Sequence, residues 1–438
     1  MTAQYCDISF FEKLRLYSDD YLQCCRFLAI CESPDLMFTK KLYSKLVASS
    51  HLVEDFLDFH GAKNNKNWYL FRELSAAVRH LSMAGYIQEH ISNRLVFYDL
   101  TNKTGFEEEG EDTRHFLART LISLAPAILS EAGRLGISMP AASFSSEDFP
   151  SAVTTEMLEF DVDDERPRQQ QQKKNIVKVT SEFLNIAKEF EEYGIYEKCD
   201  PEEAHAMVPE KVNEVVIRRF EMLVHNLQSS FDTYIIYGGL RYGDRRLKEL
   251  RSYFSVVYHL FDLIGKLLHF YERHFFVPRE GEKSVYKNVQ NILTSLIDVE
   301  ALLDKIVNYG LYYAFQFLSD GKRLALVILN ENIERGRIEV GIPVELGFHS
   351  RPSLLVAKIV QYYGGEVNLK GGEDTFDASS VLDIQWAGGK ISREKAKTVV
   401  FEGDIRALKD IEVLAGVNYG EDTMGKGIPL PKELDYLK

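Results

Sequence analysis

Apolar side chains in the first third of the chain recur at threes and fours. Phe10, Phe11, Leu14, Leu16, Tyr17, Tyr21, Leu22 and Phe27 follow this spacing, as one buried helix face requires. Ser33-Pro34-Asp35 signals a second helix running toward Phe59, and residues 62–66 form a polar break. Trp68 opens another periodic stretch through Leu81. Residues 105–113 read as an acidic loop, and 115–135 as a helix with Pro126 as a kink. Long helices return over 176–318. In residues 245–276, Phe254, Val257, Phe261, Ile264, Leu268 and Tyr271 share one side, and residues 285–317 repeat the pattern. Short turns between such segments predict antiparallel packing.

The period changes after about Gly336. Ile338, Val340, Ile342 and Val344 alternate with other residues, as in a strand. A helix is expected over 352–363, a strand over 366–369, a short helix over 381–386, a strand over 398–401 and a helix over 405–414. That order, β-α-β-(β)-α-β-α, describes a small α/β sandwich. Between the two helical parts, residues 138–174 carry prolines, clustered Ser and Thr, an acidic run and four glutamines, which suits an exposed linker. The chain therefore divides into a helical region (1–136), a polar linker (137–174), a helical bundle region (175–335), an α/β domain (336–416) and an extended tail (417–438). The fold class is multidomain: mainly α, with a C-terminal α/β domain.

Composition narrows the classes. The chain of 438 residues is too long for one ordinary core, and its 45% apolar and 27% charged residues are those of a folded protein. A formal charge of −14 argues against a general nucleic-acid or anionic-membrane binder. No signal peptide is evident, and the longest apolar runs, such as 324–329, are too short for membrane insertion. Cys6, Cys24, Cys25, Cys31 and Cys199 lack CxxC spacing and read as reduced, buried thiols of a cytoplasmic protein. His259, His269 and His274 do not converge on one metal, so no metal and no cofactor are expected.

One segment gathers chemistry. Gly347-Phe348-His349-Ser350-Arg351-Pro352-Ser353 lies between a strand and a helix. Neutral imidazole is a competent nucleophile, and the amides of a helix start stabilise an anion. Arg351 offers paired donors to phosphate oxygens, Pro352 suits an early helical position and Gly347 permits a tight turn. A rival phosphate cradle, residues 237–244, lacks the Walker lysine-serine ending and reads as an interhelical turn, with Gly238 ending one helix and Asp244 capping the next. Arg241, Arg245 and Arg246 there could form a small anion-binding patch.

The segment 347–352 resembles the active-site run of the HPr family, the histidine-containing phosphocarriers of the bacterial sugar phosphotransferase system. Asp377-Ala378-Ser379-Ser380-Val381-Leu382 is similar to that family's regulatory serine segment, with Ser380 in the serine position at the family's separation from His349. Residues 366–369 and 402–408 match two further elements, so the resemblance covers about 338–416. It implies an open-faced sandwich in which His349 accepts a phosphoryl group from an Enzyme I-like donor that uses phosphoenolpyruvate. It further implies Arg351 as phosphate stabiliser and Ser380 as a site for an HPr kinase. Ser380 also reads as a helix N-cap, which is compatible with phosphorylation. Ser379 stands where the family commonly has lysine, and Asp374, Asp377 and Asp383 make this second site acidic. The function expected is a phosphocarrier and signalling protein, a carrier more than a turnover enzyme, whose helical region docks regulated or phosphoryl-accepting proteins. The alternative is a non-catalytic scaffold that uses the α/β domain as a docking module.

Overall fold

The computed structural model describes residues 9–30, 38–101, 103–151, 169–236, 245–276, 284–344, 346–371, 374–394, 396–422 and 424–437. The Ser33-Pro34-Asp35 signal, Cys6, Cys31 and the turn at 237–244 lie outside them. The chain forms two compact units, each assembled from separated stretches. The first comprises Met1–Asp161, Phe190–His225 and Ser252–Leu318, and the second Val162–Glu189, Asn226–Arg251 and Ser319–Lys438.

The first unit is helical. It contains α1 (Phe10–Ala29), α2 (Lys40–Phe59), α3 (Tyr69–Leu95) and α4 (Lys103–Arg134), which pack on one another in sequence, with α4 returning to α1. α2 starts at Lys40, where the Thr39 hydroxyl accepts from the Leu42 amide. The acidic segment 105–113 is helix, not loop. Phe106, Gly110 and Thr113 recur at helical spacing and are buried, so Glu107, Glu108 and Glu111 form the solvated face of α4. By length and composition α4 is apolar enough to cross a membrane, but Leu117, Leu121, Leu124 and Ile128 are buried within the protein.

Further along, α6 (Pro201–Met207), most of α7 (Glu214–Phe231) and most of α8 (Arg245–Tyr271) belong to this unit, as do α9 (Ser284–Leu296) and α10 (Val299–Asp304). The stretch 285–317 is not one helix: Asp298 caps α10, and Lys305–Leu311 is a π-helical turn before α11 (Tyr312–Asn332). The aromatic stripes are core, with Phe106 stacked on Tyr309 and edge-on to Phe317. Cys24, Cys25 and Cys199 are free thiols, and burial pushes that of Cys24 up to about 12. Residues 138–151 are mostly exposed, as expected of a linker, but Phe149 is buried, with its ring 5.3 Å from that of Phe27.

Three histidines of this unit are held neutral, mainly by burial: His80 at about 2, His259 at about 3 and His90 at about 4. Unfolding releases each to its ordinary value near 6.5, so below that pH the unfolded chain binds the additional protons. Stability is therefore expected to fall as pH drops from about 6.5 to about 4, by up to about 1.4 kcal/mol per pH unit for each histidine that stays neutral. Denaturant melts across that range check the slope, and His259→Asn should flatten it.

The second unit contains α5 (Gln169–Glu191) up to Glu189, so the stretch 169–174 is helix and not linker. Arg246, at the start of α8, is bound by Glu331 through two bonds of 2.8 Å, which removes it from the expected anion patch. After α11 come β1 (Arg335–Gly341), α12 (Ser350–Tyr363), β2 (Val367–Gly371), β3 (Asp374–Asp377), α13 (Val381–Glu394), β4 (Thr398–Asp404) and α14 (Ile405–Gly416). The strands form one antiparallel sheet in the order β1-β4-β2-β3, with Ile338 opposite Phe401 and Leu369 opposite Phe401. Val367, Leu369, Val399 and Phe401 are buried with Val356, Ile359 and Val360 of α12, Ile384 of α13 and Ile411 of α14. The intervening Arg337, Glu339 and Glu402 are exposed, so the sheet is apolar on one face and polar on the other. β1 lies three residues earlier than expected because its pairing runs from Arg335–Asp404 to Gly341–Thr398, which leaves Val344 exposed. α13 continues beyond Trp386 because Ala387 and Ile391 return to the core.

The C-terminal segment is not an extended tail. Tyr419, Leu434 and Leu437 are buried in the core of the α/β domain, and 3-10 turns form at Asn418–Gly420 and Lys432–Leu437. The Tyr419 hydroxyl donates to the Gly341 carbonyl at 2.8 Å.

Candidate functional site

The loop before α12 is shaped by its own residues. Gly347 has φ +62°, the left-handed region that favours glycine, and turns the chain toward the helix. Phe348 then inserts into the core, its ring 5.2 Å from that of Tyr419. His349 occupies the N-cap position with extended backbone, and its side chain does not cap the helix. The Ser353 amide donates to the His349 carbonyl, while the buried Ser353 hydroxyl donates to the Phe348 carbonyl at 3.0 Å. These bonds hold the imidazole beside the first turn of α12, where the amides of Ser350 and Arg351 have no acceptor within the helix. Pro352 is the third helical residue and carries no amide proton, so it adds no further unmet donor.

The partner of His349 was not expected. Its Nε2 lies 2.9 Å from Oε2 of Glu421, a carboxylate only 3% exposed. Oε1 of the same carboxylate is buried without a hydrogen-bond partner among the described residues. A carboxylate at Nε2 fixes the proton on that nitrogen and leaves Nδ1 with its lone pair. The imidazole itself is about a quarter exposed, at 27%. Glu421 thus holds His349 as a carboxylate orients the base in a nucleophile–base–acid triad.

Glu421 reaches the histidine because the C-terminal segment folds back as a strap. Glu421 bridges to Gly427, the Ile428 amide donates to the Gly420 carbonyl at 2.9 Å, and Asn418 Oδ1 accepts from the Val344 amide at 3.1 Å. Gly427 sits against Arg351: a Cβ there would lie 2.2 Å from the guanidinium Nη1. Only glycine allows that approach without moving the arginine. Arg351 makes no ion pair among the described residues, so its donors are open to an anion. His349 and Arg351, expected together, are brought together, and both are touched by the strap.

Ser380 caps α13. Its hydroxyl accepts from the Asp383 amide at 3.2 Å, and it is half-buried. Asp377 binds the Ser379 amide and hydroxyl, both at 2.8 Å, so this acidic residue has a local structural use. Next to the cap, Leu382 and Trp386 stand one turn apart on α13 and are 73% and 79% exposed. Leu346 before the histidine and Leu354 on α12 are exposed as well. Large apolar side chains in water are a common mark of a protein-binding face.

His269 and His274 have carboxylate partners. His269 Nδ1 lies 2.9 Å from Glu214, and His274 Nδ1 lies 2.7 Å from Glu73. Among the described residues no group of three potential ligands is placed to hold a metal ion. Sequence reasoning missed Glu421 because it lies 72 residues after His349, in a stretch whose Gly and Pro content suggested no packed structure. The buried Tyr419 two positions earlier was the available sign that the segment is anchored. Comparison with protein-family models, with curated proteins and with solved structures gives no match.

Proposed function

We propose that His349 is a phosphoryl acceptor and that the protein is a cytosolic phosphocarrier of the HPr kind. The observation that carries the reading is the buried Glu421 carboxylate against Nε2 of His349, at a helix start and beside Arg351, which makes no ion pair among the described residues. In the transfer, Nδ1 attacks the phosphorus of a phosphorylated donor. The new P–N bond forms as the bond from phosphorus to the donor's leaving atom breaks, and that atom keeps the electron pair. The phosphoimidazole is then protonated at Nε2 and positively charged, and Glu421 neutralises it. A protonated imidazole is also the better leaving group when the phosphoryl group passes to an acceptor. Arg351 and the amides of Ser350 and Arg351 stabilise the phosphoryl oxygens.

The resemblance supplies the donor, an Enzyme I-like protein charged by phosphoenolpyruvate, and a regulatory role for Ser380 as the target of an HPr kinase. Leu382 and Trp386 suit the docking of such partners. The second reading, a docking module without chemistry, draws on the strap that touches His349 and Arg351.

Incubation of the full chain with Enzyme I and phosphoenolpyruvate separates the two readings. An acid-labile, base-stable phosphate on the protein supports the carrier; none, with an active control carrier alongside, supports the docking module. Trp386→Ala is expected to slow this donor-dependent labelling by at least about tenfold, as loss of an exposed aromatic anchor does. Labelling by the small donor phosphoramidate, which needs no docking face, should be unchanged. Equal rates with Enzyme I would remove α13 from the docking surface.

A further inference from the structure

The second unit contains a cleft, apart from His349, whose charge is opposite to that of the whole protein. It has a volume of about 680 Å³ and opens between α5, the end of α11, the end of α12 and the start of α14. His349 and this cleft lie at opposite ends of α12, about 20 Å apart along a 14-residue helix. Lys173, Lys174 and Lys178 of α5 and Arg406 and Lys409 of α14 line it. Against these five cations stand three carboxylates, Glu182, Glu334 and Asp404, a surplus of two positive charges. The chain as a whole carries 14 more acidic than basic residues.

Arg406 and Asp404 are already committed to each other. Asp404 Oδ2 accepts from Nη2 of Arg406 at 2.6 Å, and Nη1 of the same guanidinium donates to the Ser181 hydroxyl at 3.0 Å. That pair fixes the wall of the cleft, and the lysines are left for a ligand. Lys178 has Glu182 at 3.9 Å, the outer limit of an ion pair, and the Tyr234 ring at 5.9 Å. Lys173, Lys174 and Lys409 are exposed and make no ion pair among the described residues. The rest of the lining is largely apolar: Val177, Ile333 and Ile405, with the rings of Tyr362 and Tyr363. Tyr362 is 41% exposed although it stacks on Tyr436 at 4.0 Å.

From this arrangement we infer that the cleft binds a small phosphorylated molecule with a planar or apolar body. Lysines approaching from two helices suit a dianion or a diphosphate better than a single carboxylate, because several point charges are neutralised at once. The apolar wall and tyrosine rings accept the body, and the volume lies within the range of small-ligand sites. A nucleoside diphosphate combines both features and serves as the probe.

Calorimetric titration of the full chain with ADP, pyrophosphate and adenosine tests the inference. ADP should bind more tightly than pyrophosphate, and adenosine should bind more weakly than either. Lys178→Ala/Lys409→Ala should weaken ADP binding by at least about tenfold, the loss of two charge-assisted contacts. The control Lys66→Ala/Lys287→Ala makes the same charge change in the first unit and should leave binding intact. All these lysines are at the surface, and a thermal melt of each variant verifies its fold. No binding of ADP or pyrophosphate, or ADP binding that survives the first pair of substitutions or falls equally with the second, would overturn the site. Pyrophosphate binding as tightly as ADP would overturn the part assigned to the apolar wall.

Discussion

His349→Ala is expected to abolish the acid-labile phosphate completely, with Enzyme I and phosphoenolpyruvate or with phosphoramidate as donor. The expectation is total loss because the site offers no second nucleophile in the same position. Ser350 begins the helix, Ser353 is buried with its hydroxyl bound to the Phe348 carbonyl, and Glu421 presents a carboxylate already engaged with the imidazole. The fold should survive. The His349 side chain does not cap α12, and the packing that positions the loop comes from Phe348. Removing the imidazole does strand the buried Glu421 carboxylate, at a cost of about 1–3 kcal/mol. His349→Gln, which retains a donor for Glu421, is the companion variant, and unchanged labelling in both would place the phosphate elsewhere.

The second large effect is expected from Glu421→Gln. The amide is nearly isosteric and can still accept a hydrogen bond from Nε2, so His349 remains in place. It carries no charge, however, to balance the imidazolium of the proposed phosphohistidine. Labelling at His349 should persist, while onward transfer and gain of the phosphoryl group both slow by about 10²-fold, within the usual range for a positioned acid or base partner. A rapid-quench time course with Enzyme I reads the two directions separately. A Glu421→Gln protein that transfers as fast as the unaltered chain would reduce the carboxylate to a packing role.

The α/β domain was largely legible in the sequence because its signals are local. Alternation at Ile338 and Val340, the run from Gly347 to Pro352 and the apolar spacing of Ile405 to Leu414 each report a neighbouring element within a few residues. In the helical region, amphipathic spacing located the helices, but charge density misled at residues 105–113: four glutamates near Asp112 looked like a loop, yet Phe106, Gly110 and Thr113 hold that turn of α4 in the core. Propensity is a weak guide where tertiary packing decides.

The candidate site was legible in part. His349, Arg351 and Ser380 could be named from short motifs, since a helix start needs only adjacent residues. Glu421 could not, because a contact across 72 residues has no local signature. Nor could the charge of the cleft beside α5 be read from the chain, since Lys178 and Lys409 lie on helices separated by more than 200 residues and meet only in the fold.

Nitrogen and phosphorus NMR of the phosphorylated full chain, labelled at its histidine rings, tests the central claim most directly. Nε2 of His349 lies against the Glu421 carboxylate, so in the proposed account the phosphorus couples to Nδ1 of that one ring and the signal vanishes in His349→Ala. Coupling to Nε2 would contradict the ring orientation assigned through Glu421, and phosphate on another residue, or none with either donor, would contradict His349 as the phosphoryl acceptor.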